Sequence, residues 1–153
     1  VTGVVLMIAI TLILAILVLL LMVQMPSLLD TSVPAIFKIT KIKHQGGAWN
    51  LDSYMVVMNT GTLGYMNKNL YAKTYRNGEE LNCRIPTLNG YDFIHGSHHY
   101  DVQNLGSTGE TWYPLATIYI DYEDRTFRPG DYVTFEVYDN TTKQIISRHS
   151  FKA

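Results

Sequence analysis

Three histidines come closest to reactive chemistry. His95, His98 and His99 lie within the seven residues Ile94 to Tyr100, and neutral imidazoles on one loop can converge on zinc or copper. The pattern is incomplete. It lacks the helical H-E-x-x-H spacing and a cysteine partner, and the nearest carboxylates are Asp92 and Asp101. A polar exposed or intersubunit loop accounts for the same residues, so the three are kept as metal candidates and no metal or cofactor is assigned. The second feature is Asn140-Thr141-Thr142, the sole N-x-[ST] sequon, which makes Asn140 a candidate N-glycosylation site in a predicted turn. The third is a set of 11 tyrosines, all from Tyr54 onward. Tyrosine is ordinary strand composition and also suits a subunit interface. Nucleophile-elbow, P-loop, dinucleotide-binding and paired-carboxylate patterns are all missing, which points away from an enzyme.

These residues sit in a chain of 153 residues with 12 basic and 13 acidic side chains. A balance so near neutral gives no electrostatic footprint for nucleic acid. The single Cys83 excludes an internal disulfide. The length suits one domain, or a smaller domain with an appendage.

The appendage is evident at the start. From Val1 to Met25, 21 of 25 residues are hydrophobic, and the first charge of either sign is Asp30. This exceeds the roughly 18–20 residues needed to span a bilayer, and as an α-helix it would be about 37 Å long. Every face is apolar, so apolar material must surround it. A secretory signal peptide, a single-pass anchor, and a helix that leaves the membrane to pack on copies of itself all satisfy that demand. The signal-peptide reading lacks a basic n-region and an A-x-A cleavage site. The anchor reading lacks a close basic flank, since Lys38, Lys41 and Lys43 lie well beyond the run. An upstream basic leader is expected to have been cut away. Pro26 is expected to break or bend the helix.

Beyond it the pattern changes. A β-rich run begins at Ile36, Tyr54 to Met58 is a compact apolar strand, and Leu70 to Arg76 alternates before Asn77-Gly78, a strong hairpin signal. Glu80 to Ile85 is the expected return strand. Pro86 to Gly109 reads as a surface excursion with a short strand over Tyr91 to Ile94. Ala116 to Tyr122, Tyr132 to Tyr138 and Gln144 to Phe151 complete about seven strands. The fold class expected is α+β: a long hydrophobic N-terminal helix (1–29), a linker (30–35), and an antiparallel, immunoglobulin-like β-sandwich head (36–153).

The stretch Gly3 through Ala15, G-V-V-L-M-I-A-I-T-L-I-L-A, resembles the N-terminal signature of archaeal type IV pilins. The head is similar to theirs only in architecture. The resemblance implies a filament subunit cut from its precursor by a prepilin peptidase and driven into a helical homopolymer by an assembly ATPase on a membrane platform. Membrane lipid would be its partner before assembly, and an extracellular filament at the cell surface, serving adhesion, its destination. Val4, Leu6, Ile8, Ile10, Leu12, Ile13, Ile16, Leu17 and Leu20 would then pack the filament core. Val5 stands where many relatives carry glutamate, which favours the adhesion branch; archaellins are the more distant relatives. The other reading is a membrane-anchored β-sandwich binding module that never polymerises.

Overall fold

Residues 4–22 contain neither glycine nor proline, and their Leu, Ile, Met and Ala side chains pose no obstacle to a helical backbone. They lie within α1, Thr2–Asp30, a helix of 29 residues and about 43 Å. The computed structural model describes the chain outside residues 31–32, 44–52, 96–101 and 107–108, and for residues 23–30, 94–95 and 102–106 it describes the backbone alone. α1 does not end at Pro26, where a break was expected, but continues to Asp30. A proline deletes one ladder hydrogen bond, and the neighbouring turns can retain theirs. The chain divides into two compact units, Val1–Val33 and Pro34–Ala153.

In the second unit, ten strand segments form among the described residues, the longer ones from runs of alternating polarity between turn residues. These are β1 (Phe37–Lys43), β2 (Ser53–Asn59), β3 (Tyr65–Met66), β4 (Leu70–Arg76), β5 (Glu79–Glu80), β6 (Val102–Gly106), β7 (Thr111–Trp112), β8 (Thr117–Tyr122), β9 (Tyr132–Asp139) and β10 (Ile145–Lys152). Seven of them have five or more residues, the expected number, but β6 lies in the stretch expected as a surface excursion and stands in for the expected strand from Glu80 to Ile85. One sheet has the order β1-β2-β8-β6, the other β10-β9-β4-β5, and β3 pairs with β7. All paired strands are antiparallel. Relabelled A to G, the seven longer strands give A-B-E-D facing G-F-C, the constant-type immunoglobulin order.

One core lies between the sheets. Phe37, Ile39, Met55, Val57, Ile118 and Ile120 of the first meet Leu70, Ala72, Val133, Phe135 and Val137 of the second in a single buried cluster. Tyr122 crosses the gap, its hydroxyl 2.6 Å from Thr74 Oγ1. Along one side the sheets nearly close. Ser147 Oγ accepts the amide N–H groups of Ile36 and Phe37 at 3.0 and 2.9 Å, and His149 Nδ1 accepts that of Ile39 at 3.0 Å. Residue numbers rise together along this seam, so the two chain segments run in the same direction; one backbone bond, Arg148 N–H to Pro34 O at 3.1 Å, joins the side-chain bonds there.

Two further expectations are corrected. The return strand after Asn77-Gly78 is only Glu79–Glu80, with one further bridge between Ala72 and Ile85. The chain turns inward there, burying Cys83, Ile85 and Leu88. The hairpin turn itself has both φ angles positive, 52° at Asn77 and 85° at Gly78, the I′ geometry that this pair favours. Tyr91 to Ile94 is not a strand but part of a short helix α2, Gly90–His95. Asn89 starts it, with Oδ1 accepting the amide N–H groups of Tyr91 and Asp92 at 3.0 and 3.2 Å.

Candidate functional site: the apolar helix and the faces of the head

The first candidate is α1 itself. Each large hydrophobic side chain from Val4 to Met22 is at least half exposed, from 50% at Ile10 to 71% at Met7. Between Val4 and Met22 no turn of the helix offers a polar stripe. Its hydroxyl at Thr11 is turned back onto the carbonyl of Met7 at 2.8 Å, which satisfies a donor that apolar surroundings would otherwise penalise. Thr2–Met22 is long and apolar enough to cross a membrane. All nine residues expected to pack a filament core lie in this segment, and all nine are exposed. Pro26 lies beyond it, in the part of α1 described by backbone alone.

The second candidate is the outer face of the sheet β10-β9-β4-β5. Strand alternation turns Tyr71, Lys73 and Tyr75 of β4 and Glu136 and Tyr138 of β9 outward. Glu136 is nevertheless only 4% exposed. Its Oε2 accepts Tyr138 OH at 2.9 Å and Arg148 Nη2 at 3.1 Å. Tyr71 stacks on Tyr138 with centroids 4.9 Å apart, and Lys73 and Lys143 lie over the rings of Tyr138 and Tyr71 at 5.6 and 5.1 Å. Burial first, and then the Glu136 carboxylate, push the phenols of Tyr75 and Tyr138 above the ordinary tyrosine value. These phenols stay protonated at neutral pH and act as hydrogen-bond donors, not nucleophiles. The face is equipped for contact. Sequence pattern missed it because a glutamate on the outer side of a strand normally faces water; only the neighbouring side chains reveal that it is covered.

An open pocket of about 440 Å³ lies beside α2, with Lys68, Asp92 and Glu110 among its lining residues. Among the described residues no three His, Cys, Asp or Glu side chains gather as a metal-binding group. His98 and His99, and the side chain of His95, lie outside the described residues. Asn140 is exposed in the β9–β10 turn, where its Oδ1 accepts Lys143 Nζ at 2.6 Å and its amide N–H reaches Asn69 O at 2.7 Å. Asp139 organises the turn, accepting the amide N–H groups of Thr141 and Thr142 at 2.7 and 2.9 Å. Those bonds, led by the one from Thr142, hold its carboxyl below the usual range.

No protein-family model and no curated protein matches the sequence. Among solved structures, the chain is similar to the archaellum periplasmic stator protein FlaG from Sulfolobus acidocaldarius, with 13% identity and a TM-score of 0.46 over 76% of this chain and 97% of that one. It is also similar to the archaellum periplasmic stator protein complex FlaF and FlaG from the same organism, with 14% identity and a TM-score of 0.45 over 80% of this chain and 91% of that one. The sandwich assignment rests on the strand order and the shared core, not on these likenesses.

Proposed function

We propose that this chain is a structural subunit of an archaeal type IV pilus-like filament, held in the membrane by α1 before assembly and built into an extracellular helical homopolymer afterwards. The observation that carries the reading is α1: 29 helical residues that begin with the pilin-like signature and, from Val4 to Met22, expose apolar side chains on every face. Such a helix exchanges lipid for copies of itself with little change in solvation, so packing can decide the outcome. The heads would form the outer wall, repeating a contact whose rotation does not close. A prepilin peptidase and an assembly ATPase on a membrane platform are the partners this reading requires, and adhesion is the use we assign to the filament. Its role is structural, not catalytic.

The test is direct. A surface fraction sheared from cells, examined by electron microscopy and mass spectrometry, should contain filaments built of this chain. A chain recovered only as detergent-soluble monomers would favour the membrane-anchored binding module and discard polymerisation.

A further inference from the structure

Charge is absent from three stretches of the head: residues 33–37, 53–67 and 111–120 contain no Asp, Glu, Lys or Arg. The fold ties all three at one buried residue, Asn59. Its amide N–H reaches Ala116 O at 3.1 Å, and its carbonyl accepts the Leu115 N–H at 2.8 Å. Its Nδ2 donates to Leu63 O at 2.9 Å and Trp112 O at 3.1 Å. The next residue, Thr60, donates its amide N–H to Ile36 O at 2.8 Å.

From this knot Leu63, Tyr113 and Leu115 stand 64%, 65% and 74% exposed. Single exposed apolar residues are ordinary. Three large ones on converging loops, with no charge among them, are the usual mark of a contact surface. Leu115 adds an independent sign, because its φ is +64°. A leucine in the left-handed region carries backbone strain that glycine would avoid, and its exposed side chain gains nothing from the head in return.

We propose that this uncharged end of the head inserts Leu63, Tyr113 and Leu115 into the interfacial layer of a lipid bilayer. The proposal rests on the reading that α1 occupies a membrane before assembly. Ile36, on the same knot, follows the last residue of α1 by six positions, so the chain enters the head at this end. Tyrosine suits the headgroup level, with an apolar ring and a polar tip, and no charge has to be stripped of water as the loops enter. All three lie in loops outside the strands and are mostly exposed, free to enter a fluid layer without rearranging the sheets.

The experiment uses the full chain in phosphatidylcholine–phosphatidylglycerol vesicles at low protein-to-lipid ratio. In a Cys83→Ala background, an environment-sensitive fluorophore is placed at Leu115→Cys or, at the other end of β8, at Asp124→Cys. The chain should float with the vesicles. The label at 115 should shift to the blue and be quenched by nitroxide-bearing lipid, while the label at 124 does neither. Leu63→Ser with Tyr113→Ser should diminish that quenching. A floating chain whose label at 115 stays as aqueous as that at 124 overturns the insertion and leaves the membrane reading of α1 intact; a chain that does not float overturns both. A blue shift without nitroxide quenching that grows with protein density assigns the loops to a second copy and overturns the lipid assignment. Leu115→Gly should leave the melting temperature unchanged or raised; a fall would mean that Leu115 packs within the head, contrary to the proposal.

Discussion

The Ile39 amide donates to His149 Nδ1 at 3.0 Å, a bond that exists only while that nitrogen keeps its lone pair. Burial, and then the charge of Lys38, hold the imidazole below 6.5. The neutral form is the one that closes the seam between β1 and β10. Its contribution is therefore fully present above the unfolded value of 6.5 and disappears as pH falls through the lower folded-state value. Thermal unfolding followed from about pH 7.5 down to 5 should show the native chain losing stability relative to His149→Asn, whose amide oxygen accepts the same N–H without titrating. Parallel profiles for the two proteins would remove His149 from the acid response. At the opposite end of β10, exposed Asn140 is the other residue with a chemical expectation of its own. Subunits from native cells should exceed their sequence mass by a glycan, and Asn140→Gln should return them to it. Native subunits already at the sequence mass would dismiss the sequon.

At the scale of elements, alternation and turn chemistry revealed most of the head. Val133, Phe135 and Val137 are fully buried on one side of β9, as their spacing indicates, and Asn77-Gly78 turns as that pair should. Helix α2 was hidden because Tyr91 and Phe93 alternate like a strand, while the decisive feature was Asn89 as a cap. Strands β3 and β7 are two residues each, too short to carry a period at all. What holds that small sheet in place is the Asn59 knot, which unites segments some fifty residues apart and so has no local signal. Asn59 is fully buried and its Oδ1 also accepts the Gly61 amide at 2.9 Å. Asn59→Ala strips partners from the buried carbonyl of Trp112 and from that of Leu63. It should cost about 2–3 kcal/mol in denaturant unfolding. A loss below about 0.5 kcal/mol, the range of an ordinary surface substitution, would show that the loops do not depend on this residue.

The whole molecule joins two materials with different solvent requirements. The head closes its own core between its two sheets. From Thr2 to Met22 the helix has no buried face of its own, so burial of that stretch must come from lipid or from other copies of the chain. This division was legible in the sequence, because 25 residues with four exceptions to apolarity leave no alternative. The identity of the covering material was not, since lipid tails and leucine side chains are equally apolar. Ile13, 59% exposed in the single chain, separates the possibilities. A carboxylate at a helix centre costs about 2.5–3.5 kcal/mol on insertion into a bilayer. In a packed filament core every subunit would bury one such charge without a partner, and that penalty repeats along the polymer. Ile13→Asp should therefore yield no filaments, while the head unfolds at the temperature of the unaltered protein. Ile13→Val should assemble normally, which ties the defect to charge and not to lost volume. Filaments of ordinary length and number from the Ile13→Asp chain would mean that α1 is not the packed core of the assembly.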